Sequence, residues 1–143
     1  MFTDIIKAMT LAEDKHKGQL YGSVSYYFHL LDVHKTVVEF FGEDTQAETV
    51  ALLHDILEDT DTTAEELSDY GFSDSVVRSV VLLTKREDQT REEYLVALCE
   101  DETAWRVKVA DAFSNLHHSL KTLNSRRVKK YSTTLNILME NMK

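Results

Sequence analysis

The chain contains no proline, a single cysteine and four glycines in 143 residues. Without proline, and with so few glycines, little interrupts a helix, so long helical segments are expected. One cysteine, Cys99, cannot close an internal disulfide, and a reducing, cytoplasmic setting is the simple expectation. No apolar run is long enough to cross a bilayer, and the opening Met1-Phe2-Thr3-Asp4-Ile5-Ile6-Lys7 interrupts its apolar positions with charge, unlike a signal-peptide core. Positive charge is also scarce: 16 Lys and Arg stand against 25 Asp and Glu, for a formal charge of −9. That balance argues against a DNA- or RNA-binding surface, which needs clustered cations to displace counterions from phosphates. A small nucleotide remains compatible, because a bound metal and a few local cations can hold a phosphate inside an acidic protein.

What is present fits one soluble domain, 1–143. With 43% apolar and 29% charged residues the chain is long enough to bury a core without covalent staples. The stretch Ala51-Leu52-Leu53-His54-Asp55-Ile56-Leu57-Glu58-Asp59-Thr60 stands out, since it sets an imidazole and three carboxylates in an apolar run. Such groups are costly to bury unpaired. On a continuous helix His54 and Glu58 share one column and Asp55 and Asp59 the next. Imidazole and carboxylate suit zinc, manganese or iron. The plainer alternative is an amphipathic helix with an acidic end.

Helical spacing predicts a first helix over 3–17, with Thr3 as its cap and His16 facing inward, as a core histidine or a ligand. A loop from Gly18 to Ser23 follows, then a helix from Tyr26 to Phe41 stopped by Gly42, carrying His29 beside its apolar face and His34 within it. Periodicity does not say which of these two is a ligand. A third helix opens at Asp44 or Thr45 and runs through the acidic cluster. A short one spans Thr63 to Tyr70, and another is capped by Ser73, read as helix despite its valines because no partner strand is evident. Thr90 and Glu93 form a capping-box pattern for the helix through Cys99.

Between Glu102 and Leu123 two stripes run side by side. Val109, Phe113, Leu116, Leu120 and Leu123 are expected to be the buried one; Lys108, Asp111, Asn115 and His118 form the second. Asp111, flanked by apolar residues, needs a cation, either Lys108 or a metal. The last helix, Ser125 to Asn141, with Tyr131, Leu135, Leu138 and Met142 as its docking face, reads as structural. The expected fold is all-α, a single bundle of seven or eight helices.

Five segments taken together, His16-Lys17-Gly18-Gln19, Tyr26-Tyr27-Phe28-His29-Leu30, the run from Ala51 to Thr60, Leu83-Thr84-Lys85, and Val107-Lys108-Val109-Ala110-Asp111 with Asn115, resemble in order the hydrolase domain of the RelA/SpoT group and its small stand-alone relatives, within the HD superfamily of metal-dependent phosphohydrolases. The resemblance implies an HD-type helical bundle that removes the 3′-pyrophosphate of (p)ppGpp. It makes His29, His54, Asp55 and Asp111 the ligands of a divalent metal, usually manganese, with zinc, iron, magnesium or nickel as alternatives. It makes Glu58 and Asp59 the catalytic acidic pair, and places Lys85, Lys108 and Asn115 near the nucleotide.

Three positions depart from the pattern. Tyr21 and His117 stand where arginines are expected, and Leu30 replaces a proline. Losing two guanidiniums removes bidentate phosphate contacts. An HD nucleotidase for ordinary mono- or deoxynucleotides is therefore the second expectation, and a non-catalytic nucleotide- or protein-binding module the third. A homo-oligomer is compatible with each, and no membrane partner is expected.

Overall fold

The structure, a computed structural model, describes residues 2–143 and, at Phe2, the backbone alone. It is helical almost throughout: α1 (Phe2–Lys15), α2 (Tyr26–Phe41), α3 (Thr45–Leu53), the single turn α4 (Ile56–Asp59), α5 (Ala64–Asp69), α6 (Asp74–Leu82), α7 (Arg91–Leu98), α8 (Glu102–Lys121) and α9 (Ser125–Glu140). The all-α expectation holds. The boundaries follow local chemistry: Asp44, Thr63, Ser73, Asp101 and Asn124 each accept a hydrogen bond from a backbone N–H of the helix they open, and Thr90 and Glu93 complete a capping box. The valine-rich segment after Ser73 is a helix, as expected. Thr3 is not a cap, because α1 is already helical at Phe2.

The Gly18–Ser23 stretch is more ordered than a loop. Leu20–Tyr21 (β1) pairs antiparallel with Val24–Ser25 (β2), Tyr21 opposite Val24, around a Gly22-Ser23 turn. Gly22 takes φ 63°, and a Cβ there would stand 3.3 Å from His118 Nε2. Its bare backbone serves both the turn and the approach of α8.

Helix α3 is the hub, packed against α1, α2, α6 and α8, with Ala47 through Leu53 all buried. From Ala47 onward it is buried on every side and mostly apolar, as suits a central helix. Its one buried charge, Glu48, accepts a hydrogen bond from the Asp44 backbone N–H and pairs with His34 Nε2 at 3.0 Å. His34 is thereby a structural partner.

Helix α8 packs against α9, α2 and α3, and here the expected stripe is corrected. Of that stripe Val109 is buried, but Phe113, Leu120 and Leu123 are 40%, 53% and 89% exposed. The buried side carries Ala104, Val107, Ala110, Asp111, Ser114, Asn115 and Ser119. Small side chains let neighbouring helices approach closely, and the polar groups between them face inward. On α9, Leu138 is fully buried and Leu135 packs on the core, but Met142 is exposed. Among the described residues no helix is long and apolar enough to cross a membrane.

Candidate metal centre and its cationic wall

The helix expected to carry the acidic cluster is broken, which corrects the picture of two continuous columns. His54 Nδ1 donates to the Ala51 carbonyl at 2.7 Å, so the side chain takes the acceptor that Asp55 N–H would use in a continuing helix. The helix α3 ends at Leu53, Asp55 sits at φ −103°, ψ 2°, and α4 restarts with Asp59 N–H bonded to the Asp55 carbonyl at 2.9 Å. That bridge conformation is one that many active-site residues adopt. The break aims His54 and Asp55 inward and leaves Glu58 and Asp59 at the rim.

Three donors from separate elements converge. One nitrogen each of His29 (α2) and His54 and one oxygen of Asp111 (α8) lie within 4.8 Å of one another, all three residues buried. His29 Nε2 is 3.0 Å from Asp111 Oδ1. His54 Nε2 is 3.4 Å from the same oxygen and 3.1 Å from Asp55 Oδ2. Yet His54 Nε2, fully buried, makes no hydrogen bond. Since Nδ1 carries the proton given to Ala51, a neutral ring would turn a lone pair toward two carboxylates, an arrangement that calls for a cation between them, a proton on Nε2 or a metal. The residues therefore fit a divalent metal. Asp55 is not part of the compact trio; its carboxylate also accepts the Tyr26 hydroxyl.

The electrostatics agree. Burial pushes the His54 imidazolium pKa down, but Asp55 and Asp111 outweigh it and hold it well above the ordinary value. Burial raises the carboxyls of Asp55 and Asp111, but His54 brings Asp55 down to about 2, and Lys108 with His54 brings Asp111 well below its usual range. Without a metal a proton on His54 supplies the missing charge, and a metal would displace it. Lys108 Nζ bonds Asp111 Oδ2 at 3.0 Å, so the salt bridge and the trio share one carboxylate. Asn115 Nδ2 donates to Asp111 Oδ1 at 3.1 Å.

His29 and Asp111 of the trio line a cavity of about 300 Å³. Its lining carries the acids Asp55, Asp59 and Asp111 and the cations Arg91, Lys108, Arg127 and Lys130, with Lys108 paired to Asp111. Burial, and then the nearby Arg91, Lys108 and Arg127, push the Lys130 ammonium pKa down, while Asp111 opposes them. Arg127 Nη2 reaches Asn115 Oδ1 at 3.4 Å, and its Nε is buried and unpaired. A larger cleft, about 640 Å³ and lined by Met9, Glu13, Lys17 and Phe28 among others, gathers no comparable donors.

The other site residues expected from sequence fall in two groups. Asp59 lines the cavity, and Glu58 lies close enough to Asp55 and Lys108 to feel both; burial, then Asp55, raise both carboxyl pKa values. The first motif supports this rim: His16 Nδ1 and Gln19 Oε1 are 2.8 Å apart, and Gln19 Nε2 donates to the Asp59 carbonyl. Lys85 is not brought into the cavity. Its ammonium donates to the Arg86 carbonyl, and only its backbone meets Glu58.

Sequence reading missed Arg91, Arg127, Lys130 and Tyr131, having taken the last helix as structural. The 127, 130, 131 spacing, one face of a helix start, was the available signal. Tyr21, noted only as a lost arginine, stacks on His29 with centroids 4.4 Å apart and planes 12° apart, and donates to Asn115 Oδ1 at 2.6 Å.

No protein-family model matches the chain. Among curated proteins it is 31% identical over 130 residues to a guanosine-3′,5′-bis(diphosphate) 3′-pyrophosphohydrolase of Haemophilus influenzae, covering 84% of this chain and 19% of that protein. A protein of the same description from Aquifex aeolicus is 33% identical over 122 residues, with 79% and 17% covered. A probable GTP pyrophosphokinase of Mycobacterium leprae is 30% identical over 142 residues, with 92% and 18% covered. The chain thus spans under a fifth of the length of these relatives. A solved structure described as a metazoan ortholog of SpoT that hydrolyzes ppGpp superposes with a TM-score of 0.79 at 25% identity, covering 96% of this chain and 84% of that one.

Proposed function

We propose, for a chain that belongs to the HD-type hydrolase family of RelA/SpoT proteins, that it is a metal-dependent phosphohydrolase of a small nucleotide, with guanosine-3′,5′-bis(diphosphate) 3′-pyrophosphohydrolase activity as the leading assignment. The observation that carries the reading is the buried, unbonded His54 Nε2 facing Asp55 and Asp111 beneath a wall of four cations. A donor trio alone would suit many metals, and a cationic wall alone would suit many anions. Together they suit a phosphate bound between a metal and basic side chains.

His29, His54, Asp55 and Asp111 would hold the metal, with manganese the expected ion. When bound, it would supply positive charge to the phosphate and lower the pKa of water in the site. Glu58 and Asp59, with raised pKa values, are suited to take the proton as water attacks phosphorus. The water oxygen bonds to the phosphorus next to the ribose, the bond from that phosphorus to the ribose 3′-oxygen breaks, the 3′-oxygen takes up the proton held by the acidic pair, and pyrophosphate is released. Lys108 and Asn115 hold the Asp111 carboxylate in place. Arg91, Arg127 and Lys130 would bind phosphate oxygens, and the two guanidiniums among them offset the arginines missing at Tyr21 and His117.

Purified protein with manganese should release pyrophosphate from ppGpp, and Asp55→Ala should not. A second reading, an HD nucleotidase for ordinary nucleotides, is favoured by Tyr21 itself, whose ring and hydroxyl are engaged with His29 and Asn115 and so offer no guanidinium to a second phosphate group. Turnover of 5′-mononucleotides with none of ppGpp would select it, and no turnover of either by metal-loaded protein would leave only a binding module.

A further inference from the structure

We propose that Ser114 and Asp32 are positioning residues that fix the tautomer of His29, an inference that rests on the metal-centre reading above. His29 is 4% exposed and presents Nε2 to the trio, 3.0 Å from Asp111 Oδ1. Its other nitrogen, Nδ1, lies 3.4 Å from the hydroxyl of Ser114. That hydroxyl has one proton, and it goes to Asp32 Oδ2 at 2.5 Å. Ser114 can therefore only accept from His29, which requires a proton on Nδ1 and commits Nε2, here hydrogen-bonded to Asp111 Oδ1, to the metal when one binds. The order of proton donation is His29 to Ser114 to Asp32.

The two imidazoles of the site reach the same tautomer by different means. His54 Nδ1 donates to a backbone carbonyl of its own chain segment, 2.7 Å away at Ala51. His29 lies in the first turns of α2, and its Nδ1 meets the Ser114 hydroxyl of α8, the helix that also carries Asp111. Residues 111 and 114 are three apart, so one face of α8 presents a carboxylate to one nitrogen of His29 and a hydroxyl to the other. Asp32, three residues after His29 on α2, closes the loop back to its own helix. The pair thus locks α2 against α8 at the ligand, and the ring is further flanked by Tyr21.

Outward from the pair, a cavity of about 240 Å³ bordered by Asp32, Ser114, His118 and Lys121 leaves the Asp32 carboxylate open to water. Asp32 therefore orients the hydroxyl rather than delivering a buried charge, and the hydroxyl is the larger contributor. Outer partners of a metal-bound histidine typically change metal affinity by about 10–100-fold.

The test is manganese titration of metal-depleted protein, read by calorimetry, with the thermal midpoint of the same metal-depleted samples. Ser114→Ala should bind manganese about 10–100-fold more weakly, Asp32→Ala should show a smaller loss, and Ser114→Thr, which keeps a hydroxyl, should bind nearly as wild type. Metal-depleted midpoints should stay close to wild type, which a mere packing defect would not allow. Wild-type affinity in Ser114→Ala overturns the proposal while leaving the metal centre intact; equal losses in Ser114→Thr and Ser114→Ala do so too. A wild-type chain that binds no manganese overturns the functional reading and this inference with it.

Discussion

Helices α3 and α8 both run through the middle of the molecule, yet they spend burial on opposite chemistries. From Ala47 to Leu53, α3 buries mostly apolar groups and neutralises its single acid, Glu48, with His34 and a backbone N–H. Helix α8 buries Asp111, Ser114, Asn115 and Ser119 while Phe113 and Leu120 face out. A helix that only stabilises can follow the hydrophobic pattern. One that carries a site has to bury polar groups, and each must find a partner: Lys108, His29 and Asn115 at Asp111, Asp32 at Ser114.

The contrast is sharpest where substitutions separate function from stability. Asp111→Asn on α8 should lower turnover by more than about 100-fold, beyond what loss of an outer partner causes, and abolish tight manganese binding, as steady-state assay and metal titration would report. Leu52→Ala on α3 should instead cost about 2–5 kcal/mol of stability in denaturant unfolding, with the folded fraction keeping normal metal stoichiometry. If Leu52→Ala lost metal in the folded state, the division between the helices would collapse.

The His54–Asp55 pair at the break after α3 should show itself in acid and in base. In chelator-treated protein, the stabilisation from Asp55, whose folded pKa is about 2, is present above its unfolded value of about 3.9 and is lost as pH falls through about 2. That from His54, whose pKa is raised, is full below about 6.5 and lost as pH rises through the folded value. Thermal midpoints should therefore fall on both sides, and Asp55→Asn should flatten the profile. An unchanged profile would mean the pair is uncoupled. The smallest effect belongs to the outer face of α8: Leu120→Lys should change stability by no more than about 0.5 kcal/mol, and a large loss would show that this face is covered in solution.

Much of this was legible before folding. Caps at Asp44, Thr63, Ser73 and Thr90 are local hydrogen bonds written in adjacent residues, and the helices they open followed. His29, His54 and Asp111 were named together only through family resemblance, because no periodicity relates residues on separate helices. Three things were hidden for physical reasons. The break at His54–Asp55 depends on a side chain capturing the Ala51 carbonyl, which competes with a helix that the apolar run otherwise favours. The buried face of α8 was misassigned because hydrophobic spacing assumes that apolar groups go inside, and here pairing reverses the order. The cations of α7 and α9 reach the cavity only through tertiary packing, so Arg91 and Arg127, far apart in sequence, read as ordinary surface charge.

The most direct test is pulsed electron paramagnetic resonance of manganese bound to the protein. Two histidine nitrogens should couple to one ion per chain, with one coupling lost in His29→Ala and the other in His54→Ala. A manganese signal free of nitrogen coupling, or couplings that survive both substitutions, would contradict a centre built from these side chains.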